Sequence, residues 1–345
     1  MIKKVRNTKL DLLELLNYEP PIIPKNATVL DNFVKAYSII NRPQYKTIFC
    51  SISGGSDSDV MMDIIYKVDV NKKVTYVWFD TGLEYEATKR HIEYLEKKYD
   101  VKIMRERAIK PIPTTCREYG QPFLSKDVSQ YLERLQKKNF DFKDYNYDYM
   151  LEHFGRHIAE WWCNCKGIAR FNIERNLYLK EFLIAYPPKF KISNKCCNFA
   201  KKDVSKSLIK KYNVDLMIMG VRQAEGGIRA TIYENCFSEE LHGAAQYRPL
   251  WWYSNDDKKD YEEYCNIVHS DCYKKYGFKR TGCCCCPYGW VHNELLKELE
   301  AIKLNEPKLY KAVNNVFKDS YEYTIKYLQF RKEMKDKEKG RKRLF

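Results

Sequence analysis

The stretch Thr47-Ile48-Phe49-Cys50-Ser51-Ile52-Ser53-Gly54-Gly55-Ser56-Asp57-Ser58 decides the fold, together with Val60, Met61, Ile64, Ile65 and Val68 beyond it. Its first seven residues form a short, largely apolar run, two glycines break it, and the apolar residues that follow recur at helical spacing. That is a strand, a glycine turn and a helix. Residues 73–80 (KVTYVWFD) read as a second strand, 84–99 have helical spacing, 101–105 are apolar enough for a third strand, and 214–221 (VDLMIMGV) read as another buried one. Strands alternating with helices predict an α/β fold, a doubly wound and mainly parallel sheet covered on both faces, with helical additions at both ends.

Around this nucleus the chain divides into three regions. Residues 1–45 are a helical lead-in broken by Pro20, Pro21 and Pro24. Residues 46–240 form an α/β domain, with an aromatic, helical insertion at about 120–190, and 241–345 form a cysteine-rich and helical region. Ser254 is a helix N-cap with Asp257 three residues on. The tail from 293 to 338 is helical and charged, and its basic end (KDKEKGRKRLF) is expected to fray.

With 61 Lys+Arg against 46 Asp+Glu, the 345 residues carry a net charge of +15, and 13 of them are cysteine. No run approaches the roughly 18 apolar residues of a membrane span, and the N-terminus lacks the apolar block of a secretory signal. The expected location is the cytoplasm, with no membrane partner. In a reducing compartment clustered thiols point to metal ligation and lone ones to packing.

The turn Ser53-Gly54-Gly55-Ser56-Asp57-Ser58 joins a strand to a helix N-terminus, where exposed N–H groups and the helix dipole favour an anion. It fits neither the Walker spacing nor GxGxxG, and an ordinary βα turn would use the same residue types. Lone arginines such as Arg222 and Arg229 more often make surface ion pairs than bind phosphate, although their planar forks suit it.

The hexapeptide resembles the PP-loop, SGGxDS, of the adenine-nucleotide alpha-hydrolase superfamily, which includes the phosphoadenosine phosphosulfate (PAPS) reductase family. Phe79-Asp80-Thr81-Gly82-Leu83-Glu84 resembles that family's DTGxE segment, and Tyr119-Gly120-Gln121-Pro122 with Ser125-Lys126 its G-x-P…SK stretch. Gly220-Val221-Arg222-Gln223-Ala224-Glu225 with Arg229 resembles its GxRxxExxxR segment. The resemblance implies that Ser53, Gly54, Gly55, Ser56, Asp57, Ser58, Asp80 and Gly220 bind ATP or an adenylyl nucleotide. Asp57, Arg222 and Arg229 would then serve catalysis, and Asp57 or Asp80 could hold Mg²⁺. One departure stands out: many family members carry Lys where this chain has Ser56, so a positive charge at the phosphates must come from an arginine or be dispensed with.

Cys283 and Cys286 have the CxxC spacing that places two thiolates on one metal, and a second thiol pair would complete four ligands. The resemblance extends to adenylyl-sulfate reductases, whose CC pair and later CxxC hold a [4Fe-4S] cluster; Cys196, Cys197, Cys283 and Cys286 match in order, with zinc as the alternative. Arg280-Thr281-Gly282-Cys283 and Pro307-Lys308-Leu309-Tyr310 resemble a bacterial and phage branch of the family, in which Cys236 could replace Cys196 or Cys197. Cys163-Asn164-Cys165 reads as packing or chance, and Cys50, Cys116, Cys265 and Cys272 read as incidental.

The well-known reductases attack sulfate with a C-terminal cysteine, whereas Cys286 is the last cysteine before Arg341-Lys342-Arg343-Leu344-Phe345. Cys284 or Cys285, with a lowered pKa beside a metal, would have to substitute. The leading expectation is therefore ATP-dependent sulfur transfer, as in the family's DNA phosphorothioation enzymes, with nucleic acid as acceptor and pyrophosphate released. The excess positive charge fits a polyanion. Tyr145, Tyr147, Tyr149, Trp161 and Trp162 could stack bases, although core packing explains them better. The alternatives are a PAPS or adenylyl-sulfate reductase producing sulfite, and a nucleotide-sensing, nucleic-acid-binding module without catalysis. A sulfur-donor protein or thioredoxin is the expected protein partner.

Overall fold

The computed structural model describes residues 26–164, 172–226, 233–241, 243–292 and 294–342. The chain forms two compact units, one of Met1–Asp80, Glu84–Arg107 and Lys201–Thr281, the other of Thr81–Leu83, Ala108–Ala200 and Gly282–Phe345.

The first is a sheet unit. Its strands are β1 (Ile48–Ile52), β2 (Val74–Asp80), β3 (Ile103–Arg107), β4 (Leu216–Met219), β5 (Phe237–Leu241) and β6 (Ala244–Tyr247), in the order β3-β2-β1-β4-β6-β5. Every pairing is parallel except β5 with β6. The strand order reverses between β1 and β4, which in an open α/β sheet opens a crevice at the carboxyl ends of those strands.

The period-2 alternation of the strands explains why both faces are covered. Ile48, Cys50, Ile52, Tyr76, Trp78, Leu216 and Ile218 point into the larger core. There they meet α1 (Ala27–Ile40), α2 (Ser56–Val68), α3 (Glu86–Tyr99) and Tyr261 of α5 (Asn255–Tyr264). Their neighbours Phe49, Val77 and Met217 face the opposite side, under α4 (Asp203–Tyr212). In α2 the residues Val60, Met61, Ile64, Ile65 and Val68 are all buried, so the helical spacing after the glycines is a core-facing stripe. The doubly wound reading therefore holds, with strand ends within two residues of those expected. Helix α1 lies within the expected lead-in, and Pro20, Pro21 and Pro24 fall outside the described residues.

Ser254 caps α5 as expected, in a capping box with Asp257. Asp257 also accepts a hydrogen bond from Asn26 at 2.8 Å, which ties the start of α1 to the start of α5. Ser254→Ala is expected to cost about 1 kcal/mol. A thermal melt unchanged by that substitution would show that the cap is redundant.

The second unit is helical. Helices Lys126–Lys137, Tyr147–Phe154, Arg156–Cys163 and Leu179–Ala185 surround a core in which Phe123, Trp161, Trp162, Phe182 and Leu183 are fully buried. Trp161 and Trp162 are thus core residues and are not available to stack bases; Tyr145, Tyr147 and Tyr149 pack against the same core. Helices Leu295–Asn305 and Pro307–Val316 precede a 25-residue helix, Lys318–Lys342, that runs through most of the basic end where fraying was expected. Tyr327 and Tyr323 from this helix join the aromatic core, which gives its inner turns an apolar anchor that charge alone does not reveal.

Candidate nucleotide site and thiol cluster

Ser53 leaves β1 and Ser56 opens α2. Gly54 sits at φ +70°, and a Cβ there would lie 2.8 Å from the Thr88 methyl, so both backbone conformation and space require glycine. The turn is braced internally: the Ser53 N–H donates to Ser58 Oγ at 2.9 Å and the Gly55 N–H to Ser53 Oγ at 3.3 Å. Across the reversal point, a Cβ on Gly220 would stand 3.3 Å from the Asp57 carbonyl oxygen. Glycine at that position lets the chain after β4 close on the first turn of α2. Asp80 ends β2, half-buried. Arg229 lies outside the described residues.

The charges converge on Asp57. Arg222 donates from Nε to Asp57 Oδ1 at 2.9 Å, and its Nη1 reaches Asn255 Oδ1 at 3.0 Å. Lys258 of α5 stands 2.9 Å from the same Asp57 oxygen and 2.6 Å from Ser56 Oγ. Burial alone would raise the Asp57 carboxyl, but its hydrogen bond with Glu225 and the charges of Lys258 and Arg222 prevail and hold it below the ordinary carboxylate value. A carboxylate already facing two cations does not fit a Mg²⁺ ion, so the expected Mg²⁺ role of Asp57 is not supported. The Ser56 N–H, one of the helix's unpaired donors, is held by the Tyr273 hydroxyl at 3.0 Å.

Behind this surface runs a buried relay. Asp59 accepts from His91 at 2.8 Å and from His269 Nδ1 at 2.7 Å, and His269 Nε2 meets Glu262 at 3.0 Å. Glu262 lies 3.3 Å from Lys258. A ring with a carboxylate at each nitrogen must donate from both, which requires the imidazolium. Burial disfavours that charge, yet the bonds to Asp59 and Glu262 outweigh it and raise His269 from 6.5 to about 9. Because the folded value is the higher one, the stabilisation is complete below about pH 6.5 and is lost as pH rises through about 9. Discounted for solvent at the partly exposed ring, this is about 2 kcal/mol. The melting temperature should fall between those pH values, and His269→Gln should remove that fall; an unchanged slope in the variant would contradict the assignment.

No sequence motif singles out the histidines of this network. Asp59, His91 and His269 come from three distant segments, and the only local signal was an acidic residue in the first turn of α2. Lys258, Tyr273 and Glu262 were missed for the same reason.

In the helical unit, Cys196 and Cys197 lie on the short helix Lys195–Cys197, and Cys286 closes the turn that Cys283 begins, its N–H donating to the Cys283 carbonyl at 3.3 Å. Cys196 shares thiol hydrogen bonds with Cys116 and Cys197 and feels the charge of Cys286, while Cys286 in turn feels Cys283 and Cys197. Cys196 therefore has Cys116, Cys197 and Cys286 in its surroundings, and Cys286 has Cys283 and Cys197. Cys116, read as incidental, stands with them, brought by the helix Ile112–Tyr119. Cys236 belongs to the sheet unit, where its neighbours are Lys35, Trp252 and Arg248. Cys165 lies outside the described residues. No disulfide joins any described cysteine.

Among the described residues no three His, Cys, Asp or Glu side chains converge closely enough to hold a single metal ion. Thiol donors of this kind suit a cysteine-ligated iron–sulfur cluster or zinc. Cys284 and Cys285 are fully buried. Burial and a hydrogen bond with Cys285 push the Cys284 thiol up.

A glycine turn at the reversal point of a doubly wound sheet, with Arg222 and Lys258 beside it, is a geometry that suits an anion. Residues 47–148 and 165–288 match the phosphoadenosine phosphosulfate reductase domain, and the chain belongs to that family. An uncharacterised protein of Methanocaldococcus jannaschii is 29% identical over 175 residues, 48% of this chain and 34% of that protein. The chain therefore spans about a third of the length of this curated relative. Among solved structures, PAPS reductase from Candida auris in a phosphate complex is similar at 14% identity and a TM-score of 0.40, covering 81% of this chain and 96% of that one. The U34-tRNA thiolase NcsA from Methanococcus maripaludis, with its [4Fe-4S] cluster, is similar at 11% identity and a TM-score of 0.37, covering 88% and 79%. No helix among the described residues is long and apolar enough to cross a membrane.

Proposed function

We propose that the protein is an enzyme that binds ATP at the turn Ser53–Ser58 and directs sulfur transfer to nucleic acid with release of pyrophosphate. The observation that carries the nucleotide part is the convergence of Arg222 and Lys258 on Asp57 at the start of α2. There the turn's N–H groups and the helix dipole favour phosphate, and the two cations neutralise its charge. An acceptor oxygen attacks the α-phosphorus, the O–Pα bond forms, and the bond to the β-phosphate oxygen breaks, so pyrophosphate leaves with its electron pair. The terminal sulfur of a persulfide-bearing donor protein then attacks the activated position, and AMP leaves with the electron pair of the broken bond. A second thiol of the donor cleaves the remaining S–S bond, forming a disulfide and leaving the sulfur on the acceptor. Asp57 fixes both cations against the leaving phosphates, and Arg229 belongs to the same proposal. Cys196, Cys197, Cys283 and Cys286 would hold the [4Fe-4S] cluster, with Cys116 beside Cys196; when bound, the cluster would supply a sulfur-relaying or ordering centre. The net charge of +15 supports a nucleic-acid partner.

Incubation with ATP, a persulfide donor and either tRNA or DNA, followed by mass spectrometry of the digested polymer, should reveal a thiolated nucleoside or a phosphorothioate. The family match itself favours one rival, reduction of PAPS or adenylyl sulfate. Sulfite formed from either, without pyrophosphate release from ATP, would establish that rival.

A further inference from the structure

The geometry points to Lys258 as the cation that binds the terminal phosphates of the nucleotide, supplied from α5 in place of a lysine within the turn. This rests on the reading of Ser53–Ser58 as a nucleotide site. Its starting point is a mismatch: the turn carries Ser56, an uncharged residue, at the first position of α2. The Lys258 ammonium fills that deficit from 202 residues away, 2.6 Å from Ser56 Oγ.

Three features single out this lysine. Its side chain is only 13% exposed, an expensive position for an ammonium that did nothing but decorate the surface. Its amine is held by Asp57 at 2.9 Å and Glu262 at 3.3 Å, carboxylates on different helices, so it is aimed from both sides at the start of α2. Asp57 and Glu262 each have a second cationic partner, Arg222 and His269. Lys258 can therefore turn toward a phosphate without leaving either carboxylate uncompensated. The Tyr273 hydroxyl, 3.0 Å from the Ser56 nitrogen, marks where an oxygen sits on that donor. A flexible point charge suits a leaving pyrophosphate that moves during the reaction, whereas Arg222 is fixed by Asp57 and Asn255.

The inference makes Lys258 a determinant of phosphate number. Titration calorimetry with ATP and with AMP tests it on the full-length protein. Lys258→Met keeps the stem's volume and should bind ATP about 10- to 100-fold more weakly, the loss of one charge-assisted hydrogen bond. AMP affinity should be unchanged, so the ATP-to-AMP ratio collapses, which a loss of structure would not produce. Lys258→Arg should retain part of the ratio, and Ser56→Lys added to Lys258→Met should restore it. ATP binding by Lys258→Met equal to that of the wild type would overturn the role of Lys258 while leaving the nucleotide site standing. A wild-type protein that binds neither ATP nor AMP would overturn both.

Discussion

Asp57→Asn is expected to lower pyrophosphate release from ATP by about 100-fold or more, yet to leave ATP binding intact or tighter. Arg222 and Lys258 share Asp57, at 2.9 Å from each. Asparagine keeps the shape and removes the charge, so both cations stay near the turn, less neutralised and less well aimed. A bound phosphate would feel more positive charge, while the leaving pyrophosphate would lose its fixed alignment. Removing one partner from a buried pair also costs about 3 kcal/mol, so circular dichroism and a thermal melt must accompany the assay. The result separates this residue from Lys258, whose loss weakens binding. Asp57→Asn with normal turnover would remove Asp57 from the catalytic machinery, and Asp57→Asn that loses ATP binding in step with turnover would make it a structural residue.

The second large effect concerns the thiols. Cys286→Ser or Cys196→Ser should lower iron and sulfide in anaerobically purified protein by about tenfold or more and bleach the broad absorbance near roughly 400 nm, because thiolate ligation supplies most of the binding energy. Cys236→Ser should change neither, since Cys236 sits in the sheet unit among Lys35, Trp252 and Arg248. Cys116 is the informative intermediate. It shares a hydrogen bond with Cys196, so Cys116→Ser should leave the iron content near normal if the four ordered thiols are the ligands. Iron retained in Cys286→Ser, or zinc in place of iron in the wild type, would contradict the cluster assignment.

How much of this was legible in the sequence depended on whether the signal was local. The strand, glycine turn and helix around Ser53–Ser58 were readable because alternation and helical spacing act within a dozen residues. The helical character of 120–190 and of the tail was readable for the same reason. The buried Trp161 and Trp162 were ambiguous because an aromatic among lysines suits a core and a base-stacking face equally until packing decides. At the site, the resemblance assigned Asp57, Gly220 and Arg222 to nucleotide binding and catalysis, and the structure sets Arg222 2.9 Å from Asp57 and Gly220 against the Asp57 carbonyl. What could not be read were partners with no motif of their own: Lys258 for Ser56, His269 and His91 for Asp59, and Cys116 for Cys196. Each pair joins segments at least 32 residues apart, and each partner is a common residue type that more often lies on a surface or in a core.

The most direct test is the product balance with ATP, nucleic acid and a persulfide donor present, measured by separating adenine nucleotides and assaying pyrophosphate. AMP and pyrophosphate should form in equal amounts, both lowered about 100-fold or more by Asp57→Asn. ADP with inorganic phosphate, or no nucleotide cleavage with any DNA or RNA offered, would contradict the proposed reaction.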